Sequence, residues 1–271
     1  MSIRVYGDSF GARTAKTLEG WVDIVGRKLQ LPVVNKAVSG GSTEYAIKLL
    51  AIDICEGDIN DNDIVFFVAS TPGRLHFNFQ HTGRPETASR YLHGPGATSD
   101  PGDHSWYLKN KDHIEWWMVN QDYRLNELNH EAYLHLIENY ARSRPAVKFF
   151  ILSNSDHRFH IPSGEKPKNL LKPKIFLNAV SKCEIIGSNT DFWDWIKYTT
   201  IDFRVNHLTI PNLEILANCL IESIETGSVD HITYDKFERN FLSTIENKEQ
   251  YLKYVSNGWL YHYDFWLTII G

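Results

Sequence analysis

The sequence is poor in cysteine and has no excess of basic residues. Cysteine occurs only at Cys55, Cys183 and Cys219, and this odd, widely spaced set is neither a disulfide framework nor the paired ligand spacing of a zinc site. Buried free thiols in a reducing compartment are the simpler interpretation. Lysine and arginine number 28 against 33 aspartates and glutamates, so the composition gives no basic footprint for nucleic acid.

Long apolar runs are also missing. None approaches the roughly 20 residues that a membrane span requires, so we expect no membrane span. The first strand pattern begins at Ile3, which leaves no room for a secretory signal. What the 271 residues do contain is 42% hydrophobic and 13% aromatic side chains, which suits a globular protein with a sizeable core.

Strand and helix patterns alternate along the first two thirds of the chain. The predicted strands are residues 3–6, 31–38, 63–70 and 147–154, with a short fifth one at 183–186. The predicted helices are residues 14–29, 42–54, 122–144 and 210–225. The run "DIVFFVAS" is continuously apolar, as expected of a strand that is buried on both faces. The alternation predicts an α/β fold with a parallel sheet and helices on both of its faces.

Two regions interrupt this alternation. Residues 80–120 form a long insertion rich in glycine, proline, histidine and aromatics, and such stretches in compact domains are often functional. The tail after Gly227 ends in aromatic residues that alternate roughly by two: Trp259, Tyr261, Tyr263, Phe265 and Trp266. We therefore predict a domain over residues 1–227 and an extension over 228–271 that packs on the domain or joins a second subunit in a homo-oligomer or larger assembly.

Three turns that follow predicted strands carry residues suited to acyl transfer. "GDS" follows the first strand, "VSGGS" the second and "ASTPGR" the third. Ligands of such sheets bind beyond the carboxyl ends of the strands. Ser9 is the candidate nucleophile, its N–H and that of Gly40 are candidate oxyanion donors, and His207 in a late loop is the candidate base. Turn serines and loop histidines are, however, also common without any catalytic role.

These blocks resemble those of the SGNH, or GDSL-type, hydrolase superfamily. "YGDSFG" matches the block that carries the nucleophile, "NKAVSGGST" is similar to the turn with the oxyanion glycine, and "DFRVNHLTIPN" has His207 at the position of the catalytic base. The resemblance spans about residues 1–225 and rests on these three short blocks. It implies a flavodoxin-like three-layer α/β/α fold with a five-stranded parallel sheet, and ester hydrolysis without a metal or organic cofactor.

The chain departs from the family's pattern in two places. The third block usually reads Gly-x-Asn-Asp and its Asn is an oxyanion donor, but here "ASTP" puts Thr71 at that position, with Arg74 as a second candidate. The family's acid stands three residues before the histidine, where this chain has Arg204, and Asp202 lies five before it. The resemblance therefore implies either a triad with Asp202 or a serine–histidine dyad in which a backbone carbonyl orients His207.

Other polar residues have a structural as well as a functional interpretation. Asn35 can reach the site, or it can simply hold the turn after the second strand. We expect Asp8 to hold its turn by accepting hydrogen bonds from backbone amides. His157 and His160 have a spacing that occurs in metal sites, but nothing completes a ligand set, so we predict no metal.

The resemblance implies an esterase or carbohydrate O-deacetylase that acts on a small-molecule or glycan ester through an acyl-enzyme. The rival interpretation is a catalytically weak or inactive SGNH-fold module that binds or builds a larger assembly. A flavodoxin-like nucleotide binder is disfavoured, because the first turn lacks a glycine-rich phosphate cradle. Because no secretory signal is visible, we expect a cytoplasmic protein. The variant blocks are similar to those of tailed-phage and marine bacterial sequences, so a virion component is the alternative if the chain is of phage origin.

Overall fold

The computed structural model describes residues 1–8, 10–12, 19–38, 41–70, 72, 76–77, 86–87, 123–154, 167–180, 208 and 210–238. Strands and helices alternate along the described chain. The elements are β1 (Ile3–Gly7), α1 (Trp21–Leu29), β2 (Val33–Asn35), α2 (Thr43–Cys55), β3 (Ile64–Ala69), β4 (His76–Phe77), β5 (Glu86–Thr87), α3 (Tyr123–Ser143), β6 (Lys148–Ser153), β7 (Leu170–Leu171) and α4 (Ile210–Thr226), with 3-10 turns at Leu177–Val180 and Tyr234–Lys236.

Five strands form one parallel sheet in the order β2-β1-β3-β6-β7. β1 pairs with β3 from Ile3 opposite Ile64 to Gly7 opposite Val68. Numbered within the sheet, the order is 2-1-3-4-5, which is that of flavodoxin-like folds. The predicted fold class is therefore confirmed: this is an α/β protein with a five-stranded parallel sheet and flanking helices, as in three-layer α/β/α folds. β4 and β5 form a separate antiparallel pair.

The sequence explains why these segments adopt these structures. All six residues of β3, "IVFFVA", are buried, and so are five of the six in β6, which is why both strands are apolar runs. α2 begins where the side chain of Ser42 accepts the N–H of Tyr45 at 3.1 Å, the cap that the sequence predicts. α3 ends at Ser143, before Pro145, since the residue that precedes a proline avoids the helical conformation.

Three features predicted from the sequence either differ from the structure or lie outside the residues that it describes. The fifth strand of the sheet is the two-residue β7; the predicted strand at 183–186 lies outside the described residues. Of the insertion at 80–120 only β5 is described, and of the tail only the residues up to 238. Cys219 is buried as expected, but Cys55, predicted to be buried, is exposed at the last position of α2. In the described part of the chain, no helix is both long enough and apolar enough to cross a bilayer.

The chain divides into two compact units. The first comprises Met1–Ala12, Val34–Ile151 and Asp156–Leu170, and the second Arg13–Val33, Leu152–Ser155 and Leu171–Gly271. In the first unit, side chains of β1, β3 and β6 pack with those of α2 and α3 in one buried core. In the second unit, α1 packs on α4, and the Lys28 ammonium lies 3.1 Å from the Glu214 carboxylate.

Candidate functional site

The chain turns sharply after β1. The N–H groups of Gly11 and Ala12 both donate to the carbonyl oxygen of Asp8 at 3.0 Å. The carboxylate of Asp8 accepts the N–H of Phe10, also at 3.0 Å, and Asp8 is fully buried. The prediction that Asp8 holds this turn is therefore confirmed.

Two glycines allow close approaches of backbone at this edge of the sheet: Gly7 lets β1 lie close to β3, and Gly41 lets the turn after β2 lie close to the end of β1. Gly7 has φ +147°, and a Cβ there would lie 2.5 Å from the carbonyl oxygen of Val68. A Cβ on Gly41 would lie 2.8 Å from the carbonyl oxygen of Val38 and 3.0 Å from that of Gly7. Neither position accepts a side chain without a shift of the backbone, and the short distance from Gly41 to Gly7 means that the turn after β2 packs directly on the end of β1.

Asn35, at the end of β2, links these two turns. Its side-chain amide nitrogen donates to the carbonyl oxygen of Gly11 at 2.8 Å, and its side-chain oxygen accepts the N–H of Ala37 at 3.0 Å. Both polar atoms of the half-buried side chain thus bond to backbone. This is the structural role that the sequence allowed for Asn35, while a direct contact with substrate stays a prediction.

Thr43, the first residue of α2, links the second turn to the end of β3. Its hydroxyl oxygen accepts the N–H of Ser70 at 3.1 Å. The same hydroxyl lies 3.3 Å from the carbonyl oxygen of Ser70, to which it donates, and 3.2 Å from the Ser70 hydroxyl. Both residues are buried, with 2% and 1% of their surface exposed. We call residues 8, 10–12, 37–38, 41–43 and 70 the rim turns.

Most of the predicted site residues lie outside the described residues. These are Ser9, Gly40, Thr71, Arg74, Asp202 and His207, together with Arg204, His157 and His160. Asn35 is the predicted site residue that the structure describes. The chain neighbours of three others, namely Asp8, Phe10, Gly41 and Ser70, belong to the rim turns. The catalytic and binding roles of the undescribed residues stay predictions from the sequence.

A second polar arrangement was not predicted. Asp53 of α2 is fully buried, and its carboxylate accepts hydrogen bonds from the Tyr6 hydroxyl at 2.6 Å, the Arg4 guanidinium at 3.2 Å and the Lys36 ammonium. Asp63, just before β3, is equally buried and lies 3.6 Å from the Arg4 guanidinium. We call Arg4, Tyr6, Lys36, Asp53 and Asp63 the charged cluster.

Within the charged cluster, the surroundings of Asp53 and Tyr6 shift both of their pKa values. Burial raises the pKa of the Asp53 carboxyl, but the hydrogen bonds from Lys36 and Tyr6 and the positive charge of Arg4 outweigh it, so that the pKa lies below its ordinary value. Burial, and then the hydrogen bond to Asp53, raise the pKa of Tyr6. Tyr6 therefore stays a neutral donor and Asp53 an anion at neutral pH, which suits an anchor better than a proton-transfer group.

The acidic groups near the end of α2 do not amount to a metal site. Carboxylate oxygens of Asp53, Glu56 and Asp58 lie within 4.8 Å of one another. The charge of Asp53 is already balanced by Lys36 and Arg4, and Glu56 and Asp58 are exposed. Exposed carboxylates at this spacing are ordinary, and among the described residues no further ligand joins them.

Comparison with known proteins adds no family to this picture. No protein-family model matches the chain, and no curated protein matches it. The resemblance to SGNH hydrolases therefore continues to rest on the three sequence blocks.

Proposed function

We propose that the protein is a serine ester hydrolase that removes a small acyl group from a small-molecule or glycan ester. Ser9 attacks the ester carbonyl, and His207 takes the hydroxyl proton and returns it to the leaving alkoxide. The N–H groups of Ser9 and Gly40 and the hydroxyl of Thr71 stabilise the oxyanion, while Asp202 orients His207. Water, activated by the same histidine, then hydrolyses the acyl-enzyme.

One observation supports this proposal most: the turns after β1 and β2 are in direct backbone contact at the carboxyl edge of the sheet. Gly41 leaves no room for a Cβ beside the carbonyl oxygen of Gly7. Acyl transfer needs donors that are already fixed where the negative charge develops, because donors that must reorganise during the reaction lose much of their benefit. Turns that pack backbone on backbone, at the edge where α/β sheets bind ligands, support the proposal, because they would hold neighbouring N–H groups in place.

The test is turnover of a small activated ester such as p-nitrophenyl acetate by the wild type and the Ser9→Ala variant. Loss of the nucleophile removes covalent catalysis, so we expect kcat to fall by on the order of 10⁴-fold or more. Ser143→Ala is the matched control, because Ser143 is exposed at the last position of α3, and we expect it to keep wild-type kcat. A Ser9→Ala variant as active as Ser143→Ala would contradict the proposal.

A non-catalytic SGNH-like module is the second candidate, and two features of the sequence favour it. Thr71 stands where the family has an oxyanion-donating Asn, and Arg204 stands where it has the acid. A folded wild type without turnover on a panel of acyl esters would support this candidate. If turnover is found, Asp202→Asn distinguishes a triad from a dyad: loss of a tautomer-fixing acid costs up to about 10⁴ in kcat.

A further inference from the structure

The three rim turns are joined by two side chains that the proposed mechanism does not use. Asn35 connects the turn after β1 to the turn after β2 through Gly11 and Ala37. Thr43 connects the start of α2 to the end of β3 through Ser70. Each link runs from a side chain to backbone, so each fixes the path of the main chain and not only the position of another side chain.

Both links engage a donor and an acceptor of the same side chain. A threonine hydroxyl has one hydrogen to donate, and Thr43 spends both that donor and an acceptor site on Ser70. Asn35 uses its nitrogen and its oxygen on opposite turns. A side chain whose donor and acceptor both bond to backbone is well suited to hold neighbouring segments in register.

We propose that Asn35 and Thr43 are positioning residues that lock the turns next to positions 9, 40 and 71 into one rigid rim. For its catalytic consequence this inference rests on the proposed function. That mechanism gives the nucleophile and the oxyanion donors to the residues directly after Asp8, before Gly41 and after Ser70. A displacement of about 1 Å between such groups can cost about a hundredfold in rate, so the links carry a kinetic as well as a structural effect.

Four variants test the inference. Thr43→Val keeps the shape of the side chain and removes the hydroxyl, whereas Thr43→Ser keeps the hydroxyl. Asn35→Asp keeps the acceptor for the Ala37 N–H but turns an oxygen toward the carbonyl oxygen of Gly11, which it then repels. Asn129→Asp is the matched control, because Asn129 is exposed on α3.

The kinetic readout is the separation of kcat from KM on a small activated acetate. We expect kcat to fall by about ten- to a hundredfold in Thr43→Val and Asn35→Asp, with KM nearly unchanged, and to recover in Thr43→Ser. Asn129→Asp should retain the wild-type kcat. Wild-type kcat in both Thr43→Val and Asn35→Asp, in an enzyme that depends on Ser9, would overturn the inference and leave the proposed function intact.

The second readout, hydrogen–deuterium exchange, needs no activity. If the rim is locked, Asn35→Asp should speed exchange at the Gly11 and Ala12 amides at least about tenfold. Thr43→Val should speed exchange by a similar factor at the Gly41 amide as well as at the Ser70 amide. If exchange changes only at the amides that lose their own hydrogen bonds, the links are local and the locked rim is wrong. This outcome is independent of whether the chain hydrolyses esters.

Discussion

The charged cluster and the rim turns pair their buried polar groups in two different ways. Both bury polar groups in the first unit, but the charged cluster pairs full charges on Arg4, Lys36, Asp53 and Asp63. By contrast, Asn35 and Thr43 link the rim turns through neutral hydrogen bonds. A buried charge must keep its partner, because an isolated ion in the interior costs several kcal/mol. A neutral link fixes geometry without adding a charge beside a site where charge develops during a reaction.

This difference predicts which properties each region controls. Substitutions in the charged cluster should mainly lower stability and make it depend on pH. Substitutions that remove the neutral links of Asn35 and Thr43 should mainly change turnover, and their effect on stability should depend little on pH.

Asp53→Asn should lower the free energy of unfolding by about 3 kcal/mol, at the lower end of the range for breaking a buried ion pair. The lower end applies because the Lys36 side chain is 34% exposed and can reach water, and because Arg4 retains Asp63. Urea denaturation of the wild type and variant measures the change. Asp58→Asn is the matched control, since Asp58 is exposed near the end of the same helix, and an equal loss in both variants would contradict a special role for the cluster.

Acid should lower the stability of the wild type through the carboxylates of Asp53 and Asp63. The pKa values of Asp53 and Asp63 lie below the ordinary value: burial raises both, and hydrogen bonds from Lys36 and Tyr6 to Asp53, and from the Asn60 and Ser2 N–H groups to Asp63, lower them more. The stability they contribute is therefore fully present above the unfolded pKa of about 4 and is lost as the pH falls through the folded values.

Chemical denaturation from pH 6 to pH 2 measures this loss. The slope of unfolding free energy against pH should be shallower in Asp53→Asn than in the wild type, because one of the two linked groups is gone. By contrast, the plot of unfolding free energy against pH for Thr43→Val should run parallel to that of the wild type. A Thr43→Val curve that diverges in acid would break the division between the two regions.

The smallest effect on stability is expected for an ion pair that is exposed to solvent. Arg27 forms a two-point hydrogen bond with Glu19 on the surface, at 3.0 to 3.3 Å, and both side chains are more than half exposed. Water screens such pairs, and holding two long side chains costs entropy. Glu19→Gln should therefore unfold at the wild-type denaturant concentration, and a clear loss of stability would show that burial is not what separates the charged cluster from ordinary ion pairs.

The sequence predicted the sheet well, because its strands are long apolar runs. "DIVFFVAS" and "VKFFILSN" have no competing helical period, and Ser42 marks the start of α2. The sequence did not predict β7, because its two residues, Leu170 and Leu171, are too few to show a strand periodicity. Short strands of this kind are decided by tertiary contacts.

The charged cluster could not be predicted, because its partners lie far apart in the sequence. Asp53 is 47 residues from Tyr6 and 49 from Arg4. The available signal was weak: Arg4 and Tyr6 share one face of a strand whose other residues are apolar, and Asp53 interrupts an otherwise apolar stretch of helix. In the rim turns the sequence was more informative, since Asp8, Asn35 and the Gly-Gly pair at 40–41 are residues typical of tight turns.

The most direct test of the proposed function is covalent labelling by an organophosphonate that carries a p-nitrophenol leaving group. Such reagents phosphonylate a serine only when a base and an oxyanion site activate it, so the reaction reports the assembled chemistry and not merely a serine in a turn. Intact-mass measurement and peptide mapping should find one phosphonyl group per chain, on Ser9, and none on the Ser9→Ala variant. A folded wild type that takes up no phosphonate, or takes it up equally in Ser9→Ala, would contradict the account.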